Sequence, residues 1–261
     1  MFSRVAARNI AGACIFALAI IGHPLTAVAQ WRADVAALDP IAPLSPVPAM
    51  AEPFGLDANP LTSGDLLTRW NSIEADVRAE SDVLAQCRES MELCPAAAQK
   101  FIAVVDEGRA HDGRARIGLI NRAINLAIQP MSDLAQWGVP DRWSAPLATL
   151  ETGRGDCEDY AIAKYAALLA SGISADDLRL VIVRDLAVAE DHAVVTVRLE
   201  GNWIVLDNRW LTLVEDSAVR RIVPLFVLAH DGVKQFAPTR IAEAPAPPPH
   251  GGSAAPGALD H

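Results

Sequence analysis

The amino-acid sequence predicts an α+β fold, with N-terminal helices packed on an antiparallel sheet and a candidate nucleophile at the start of the last helix. Two observations lead there. Apolar residues recur at helical spacing up to about residue 171 and alternate strictly after residue 178. A run of helices followed by a run of strands points to α+β rather than to alternating βα units.

Each predicted element has its own signal. Over 63–90, Leu66, Leu67, Trp70, Ile73, Val77 and the pair Val83-Leu84 recur at helical spacing. A second helix is expected at 95–107. A third, over 114–129, carries Ile117, Ile120, Ile124 and Ile128 on one stripe, and Pro130 ends it. Residues 131–154 read as a loop rich in turn formers, with Trp137, Pro140, Trp143 and Pro146. A fourth helix covers 157–171 and stops at Ser171-Gly172. The period then becomes two. Strands are expected at 178–184, at 192–199 with Ala193, Val195, Val197 and Leu199 on one face, at 203–207 and at 222–229. There is no internal repeat.

The ends differ from this middle. Residues 1–29 have the form of a secretory signal: Arg4 and Arg8, an apolar run from Ile10 to Ile21, and Ala27-Val28-Ala29 as an A-x-A cleavage site. Residues 30–60 are rich in proline and alanine and read as a flexible segment. Residues 237–261 read as a disordered Pro/Gly-rich tail, since neither stretch has enough apolar surface to offset ordering. One domain is expected between them, at 61–236. The chain has 22 Lys and Arg against 32 Asp and Glu, a formal net charge of −10. That sign argues against nucleic acid and anionic membrane surfaces as partners and suits a soluble exported protein; with the signal at 1–29, a periplasmic location is expected.

After removal of the signal the chain retains Cys87, Cys94 and Cys157. In an oxidising compartment the close pair can bridge, leaving one thiol over. Residues seven apart on a straight helix are separated by about 10 Å of rise, too far for a disulfide's Cα spacing of about 4.4–6.8 Å. If Cys87 and Cys94 pair, the helix must therefore end near Glu89 to Met91. If it does not end there, they are two free buried thiols.

Three short segments carry the chemistry: Gly155-Asp156-Cys157-Glu158-Asp159-Tyr160, then Asp191-His192-Ala193-Val194, then Val205-Leu206-Asp207-Asn208. Cysteine, histidine and aspartate in this order match a nucleophile, a base and an orienting group. Asp156 is a good N-cap, which puts Cys157 at the first helical position, where free N–H groups and the helix dipole favour a thiolate. His192 and Asp207 meet only in one register. If Glu200-Gly201 is a two-residue hairpin turn, Val194 faces Asp207, and His192 is its diagonal neighbour at about 7–8 Å. A Gly201-Asn202 turn would instead keep them apart. Asp156, Glu158 and Asp159 crowd the cysteine with negative charge. As helix-terminal acids they complement the dipole. As a set of oxygen donors they also suit a bound cation, and Ca²⁺ best, which would reverse the sign of their effect on the thiol.

These segments, with Asn121, Asn125 and Trp143-Ser144-Ala145-Pro146 upstream, resemble the bacterial transglutaminase-like cysteine peptidases over residues 65–230. The resemblance implies a papain/transglutaminase-like fold, a Cys157–His192–Asp207 triad and a calcium site using Asp156, Glu158 and Asp159. It further implies a protein substrate, such as a cell-surface adhesin, and an inner-membrane regulatory receptor as partner. Two places depart from the pattern: Arg209-Trp210 follows Asn208 where an apolar residue is expected, and the strand of His192 differs from that of the adhesin-cleaving members. The function expected is an exported cysteine endopeptidase. An acyltransferase using the same triad and a non-catalytic periplasmic binding domain are the alternatives.

Overall fold

Three apolar stripes build the helical layer of the computed structural model, which describes residues 51–238. Helices α1 (Asp65–Glu89), α2 (Ala96–Arg109) and α3 (Gly113–Ala127) follow the predicted periodicity. On α3, Ile117, Ile120 and Ile124 are fully buried, as their spacing requires. The signal predicted at 1–29, most of the 30–60 segment and the tail beyond residue 238 lie outside the described residues.

The 131–154 stretch, expected as a loop, contains two short helices. In α4 (Asp133–Trp137), Ser132 caps the N-terminus through Ala135 N, and Gly138 at φ 72° closes the C-terminus. In α5 (Pro146–Thr152), proline occupies the first turn and Gly153 at φ 64° caps the end. Helices of one or two turns are too short to show a period, so their caps were their only sequence signal.

Helix α6 (Cys157–Ala170) is buried on almost every face from Asp159 to Leu168. Alanines at 161, 163, 166 and 167 allow the close approach. It packs against α2, α3 and α5 on one side and against the sheet on the other. This fixes Cys157, its first residue, at the junction of the two layers.

The sheet runs in the order β1 (Ala58–Pro60), β9 (Gly232–Phe236), β8 (Ile222–Ala229), β4 (Leu178–Asp185), β5 (Glu190–Leu199), β6 (Asn202–Leu206), β7 (Val214–Glu215), and every neighbouring pair is antiparallel. A separate two-residue parallel pairing joins β2 (Gln129–Pro130) to β3 (Arg154–Gly155). Along β4 and β5, Leu178, Leu180, Val195 and Val197 face the helices, while Val181, Val183 and Val194 face the other side. The second face explains a departure from expectation. Residues 53–60 are not a flexible segment: β1 pairs with β9, and Phe54, Leu56 and Ala58 cover the valines of that face. Nothing local to 53–60 announces this; an uncovered apolar sheet face demands it.

At the β5–β6 hairpin, Leu199 pairs with Asn202, and Glu200 and Gly201 both have positive φ, 53° and 86°. This is the two-residue turn that matches the strands' twist. Cys87 and Cys94 are bridged with Cα atoms 5.0 Å apart. α1 ends at Glu89 and a 3-10 turn at Met91–Leu93 brings the chain back, as the pairing needed.

Candidate active site

Cys157 opens α6 and is the free cysteine of the described residues. The turn before it is tightly built. Gly153 has the left-handed backbone that ends α5, and a Cβ at Gly155 would lie 2.6 Å from Asp159 Oδ2, so only glycine fits. The half-buried thiol donates to Glu158 Oε2 at 2.9 Å. Burial, then the charge and hydrogen bond of Glu158, push this thiol well above its usual range, while the backbone N–H of Ala193 pulls it the other way. Ala193 directly follows His192, so the helix that Cys157 opens meets the strand of His192 at this point.

His192 Nε2 lies 3.1 Å from Asp207 Oδ1, and Asp207 is 1% exposed. Burial alone would raise the Asp207 carboxyl. Hydrogen bonds from His192 and Arg209 outweigh it and hold the group well below the ordinary carboxylate range. An ionised carboxylate only accepts, so Nε2 carries the hydrogen and Nδ1 is left for other chemistry. Asn125 Nδ2 donates to the Asp207 carbonyl at 3.0 Å and to the Trp210 carbonyl at 3.0 Å, and Asn121 Nδ2 reaches the latter at 3.3 Å. The two asparagines of α3 thereby hold the loop that presents Asp207. Beneath it, Lys164 of α6 is buried. Burial drives its amine down to about 7, opposed by the charge of Asp207.

The acids beside Cys157 divide into two roles. Asp156 and Asp159 join Asp133 of α4, with one oxygen from each within 4.8 Å of the others. Glu158 is not in this trio; its carboxylate holds the thiol. Burial first, and then neighbouring carboxylates, raise Asp156 to about 8; burial also raises Asp159 to about 7, against a hydrogen bond from Ser144 N. Asp133 Oδ1, Asp156 Oδ1 and Asp159 Oδ2 are buried with no hydrogen-bond partner. A buried unsatisfied acceptor costs about 1–3 kcal/mol, and more when charged. The dipole of α6 offers about 0.3–1 kcal/mol to nearby anions, too little to offset three of them. Converging, unpartnered carboxylate oxygens without nitrogen or sulfur donors fit a hard divalent cation such as Ca²⁺.

Of the residues singled out in the sequence, the structure brings His192 and Asp207 into contact, sets Cys157 against the same strand, and gathers Asp156 with Asp159. Asp133, Lys164, Asp185 and Arg209 were missed. Asp133 had one signal, an acid in the first turn of a capped helix. Arg209 had one too, a charge where the pattern leads to an apolar residue.

A free cysteine at a helix start, backed by an antiparallel sheet that carries a histidine–aspartate pair, has the layout of a papain/transglutaminase-like cysteine peptidase. The family model of the bacterial transglutaminase-like cysteine proteinases matches residues 78–217, just over half of the chain. The protein belongs to that family and is a cysteine peptidase. Among solved structures, Legionella pneumophila LapG aligns with a TM-score of 0.50 at 21% identity, over 59% of this chain and 86% of LapG. Its EGTA-treated form aligns at 0.51 and 22%, over 61% and 86%. Its calcium-bound form aligns at 0.49 and 18%, over 67% and 93%. The first two similarities bear on the fold. No curated protein sequence matches the chain.

Proposed function

We propose that the protein is an exported, periplasmic cysteine endopeptidase acting on a periplasmic or cell-surface protein, with Cys157 as nucleophile, His192 as general base and Asp207 as the orienting carboxylate. The observation that carries this is the 3.1 Å contact between His192 Nε2 and Asp207 Oδ1, next to a free thiol at a helix start. Asp207 keeps the hydrogen on Nε2, which leaves Nδ1 to take the thiol proton. The sulfur then attacks the peptide carbonyl. The Cys157 N–H, among the unpaired donors at the start of α6, stabilises the oxyanion. His192 returns the proton to the leaving amine, and water attacks the acyl-enzyme with His192 again as base.

In the same reading Asp133, Asp156 and Asp159 hold a calcium ion, which would supply positive charge beside the nucleophile and lock the turn that aims it. The signal-like residues 1–29 and the Cys87–Cys94 bridge support an oxidising, exported location. The substrate is a surface adhesin and the regulator an inner-membrane receptor, as the family resemblance implies.

The test compares the wild-type protein with Cys157→Ala on a periplasmic and cell-surface protein extract in ¹⁸O water. The wild type should create new protein N-termini, with label in the paired C-terminal carboxyl; the variant should create none at a Tm within a few degrees. Identical N-termini from both proteins would end the reading. Amine incorporation in place of ¹⁸O would mean acyl transfer.

A further inference from the structure

Arg209 makes more contacts with Asp207 than His192 does. Its backbone N–H donates to Oδ1 at 2.9 Å. Its guanidinium spans both oxygens: Nε is 3.1 Å from Oδ1 and 3.2 Å from Oδ2, and Nη2 is 2.8 Å from Oδ2. The far side of the fork reaches another strand, where Nη1 lies 2.6 Å from Asp185 Oδ2. Asp185, at the end of β4, is itself anchored by the Ala187 N–H to its Oδ1 at 2.7 Å. One arginine thus ties the loop after β6 to the β4–β5 turn, with the carboxylate that faces His192 at the centre.

The chemistry of the fork explains why this matters. The last torsion of an aspartate side chain is broad and roughly two-fold, so a single hydrogen bond to one oxygen leaves the carboxylate free to rock. His192 and the Arg209 N–H both use Oδ1. Among the described residues, only the Arg209 side chain engages Oδ2. A planar guanidinium meeting both oxygens fixes the carboxylate plane, which a lysine ammonium cannot do. Fixing that plane fixes the direction in which Oδ1 accepts from Nε2, and so selects the imidazole tautomer.

We infer that Arg209, braced by Asp185, is a positioning residue that locks Asp207 in the orientation holding His192 as its Nε2–H tautomer. The inference rests on the proposed triad, with Arg209 acting through Asp207 rather than on substrate. Its side chain is 38% exposed, so solvent reaches the space it would vacate.

The test uses the full chain with ¹⁵N-labelled histidine. Long-range ¹H–¹⁵N spectra, recorded above the imidazole titration, read which ring nitrogen of His192 carries the hydrogen, and His192→Ala assigns the signal. The wild type should show the Nε2–H form alone. Arg209→Ala should show a mixture of the two tautomers, and guanidinium chloride at a sub-denaturing concentration, against matched sodium chloride, should restore the single form. Arg209→Lys, which keeps the charge and the fold, should also show a mixture. A single Nε2–H form in both variants would overturn the inference, as would a mixture in Arg209→Ala that guanidinium does not reverse, since that is what a merely structural brace would give. The triad is read separately, from alkylation of Cys157 by iodoacetamide. If His192→Ala leaves that rate unchanged, the proposed base is wrong, whatever the tautomer result says of Arg209.

Discussion

Asp207 is 1% exposed and still an anion, because His192 and Arg209 face it; Asp133, Asp156 and Asp159 crowd one another, and among the described residues no cation pairs with them. Burial acts to raise Asp207, Asp156 and Asp159 alike. Partners decide the outcome. Charge-assisted hydrogen bonds hold Asp207 below the ordinary carboxylate range, whereas Asp156 and Asp159 rise to about 8 and about 7. The chain finishes one of these sites with its own hydrogen-bond donors and leaves the other open to a cation from outside. At the effective dielectric of a protein surface, two ionised carboxylates 4.8 Å apart repel by about 3 kcal/mol. That is large against the dipole of α6 and, added to burial, explains why Asp156 and Asp159 hold their protons above the ordinary carboxylate range when no metal is present.

The hardest blow to the self-sufficient side is Asp207→Asn. It keeps the shape but no longer dictates the tautomer, so turnover of the substrate found by N-terminal mapping should fall on the order of 10³–10⁴-fold, with no recovery on adding calcium. A loss of only a few-fold would remove Asp207 from its role.

The open side is tested by pH. The unfolded values of Asp156 and Asp159 are 3.8, and the folded values are higher. Between about pH 4 and 8 the folded chain keeps protons that the unfolded chain has released, so stability of the metal-free protein falls as pH rises through that window. Calcium competes with those protons, and its Tm gain in calorimetry should be several degrees at pH 8 and much smaller at pH 5. The double variant Asp156→Asn, Asp159→Asn should be more stable than the metal-free wild type at pH 8 and insensitive to calcium. Equal gains at both pH values, or a larger gain with magnesium, would return these acids to helix capping.

A smaller effect asks whether Asp207 needs a second cation beside Arg209. Burial lowers Lys164 from 10.5 to about 7 despite the charge of Asp207. Below the folded value its buried charge weighs against folding; as pH rises from about 7 to 10.5 the folded state sheds the proton first, and stability is regained. Lys164→Met should therefore stabilise the protein by about 1–3 kcal/mol at pH 6 in urea unfolding, with the gain fading toward pH 10. Destabilisation at pH 6 would make Lys164 an essential counter-ion.

The mildest change is Glu158→Gln. Removing the charge that accepts from the thiol should speed alkylation of Cys157 by iodoacetamide, on the order of tenfold or less. A slower reaction would place Glu158 with the cation ligands instead.

Much of this molecule is legible along the chain. The apolar stripe of α3, the alternation of β5, the two-residue turn at Glu200-Gly201 and the helix end required by Cys87 and Cys94 all follow from rules that act over a few residues. From the turn alone, Val194 falls opposite Asp207, and His192 comes within reach of it. The helix start at Cys157 is placed as locally expected, with Asp156 at the N-cap position after a glycine that Asp159 leaves no room to replace, although the Asp156 side chain makes no capping hydrogen bond.

The partners of these groups are another matter. Asp133 joins Asp156 and Asp159 because α4 folds back beside the start of α6, and Arg209 meets Asp185 because β6 and β4 flank the same strand, β5. β1 forms because the far face of the sheet needs cover, for which residues 53–60 carry no periodic signal of their own. Backbone preference and side-chain period are properties of neighbouring residues and survive in any local reading. The charge a buried carboxylate ends with depends instead on which groups distant parts of the chain bring against it, and that is settled only when the helices and the sheet close over the site.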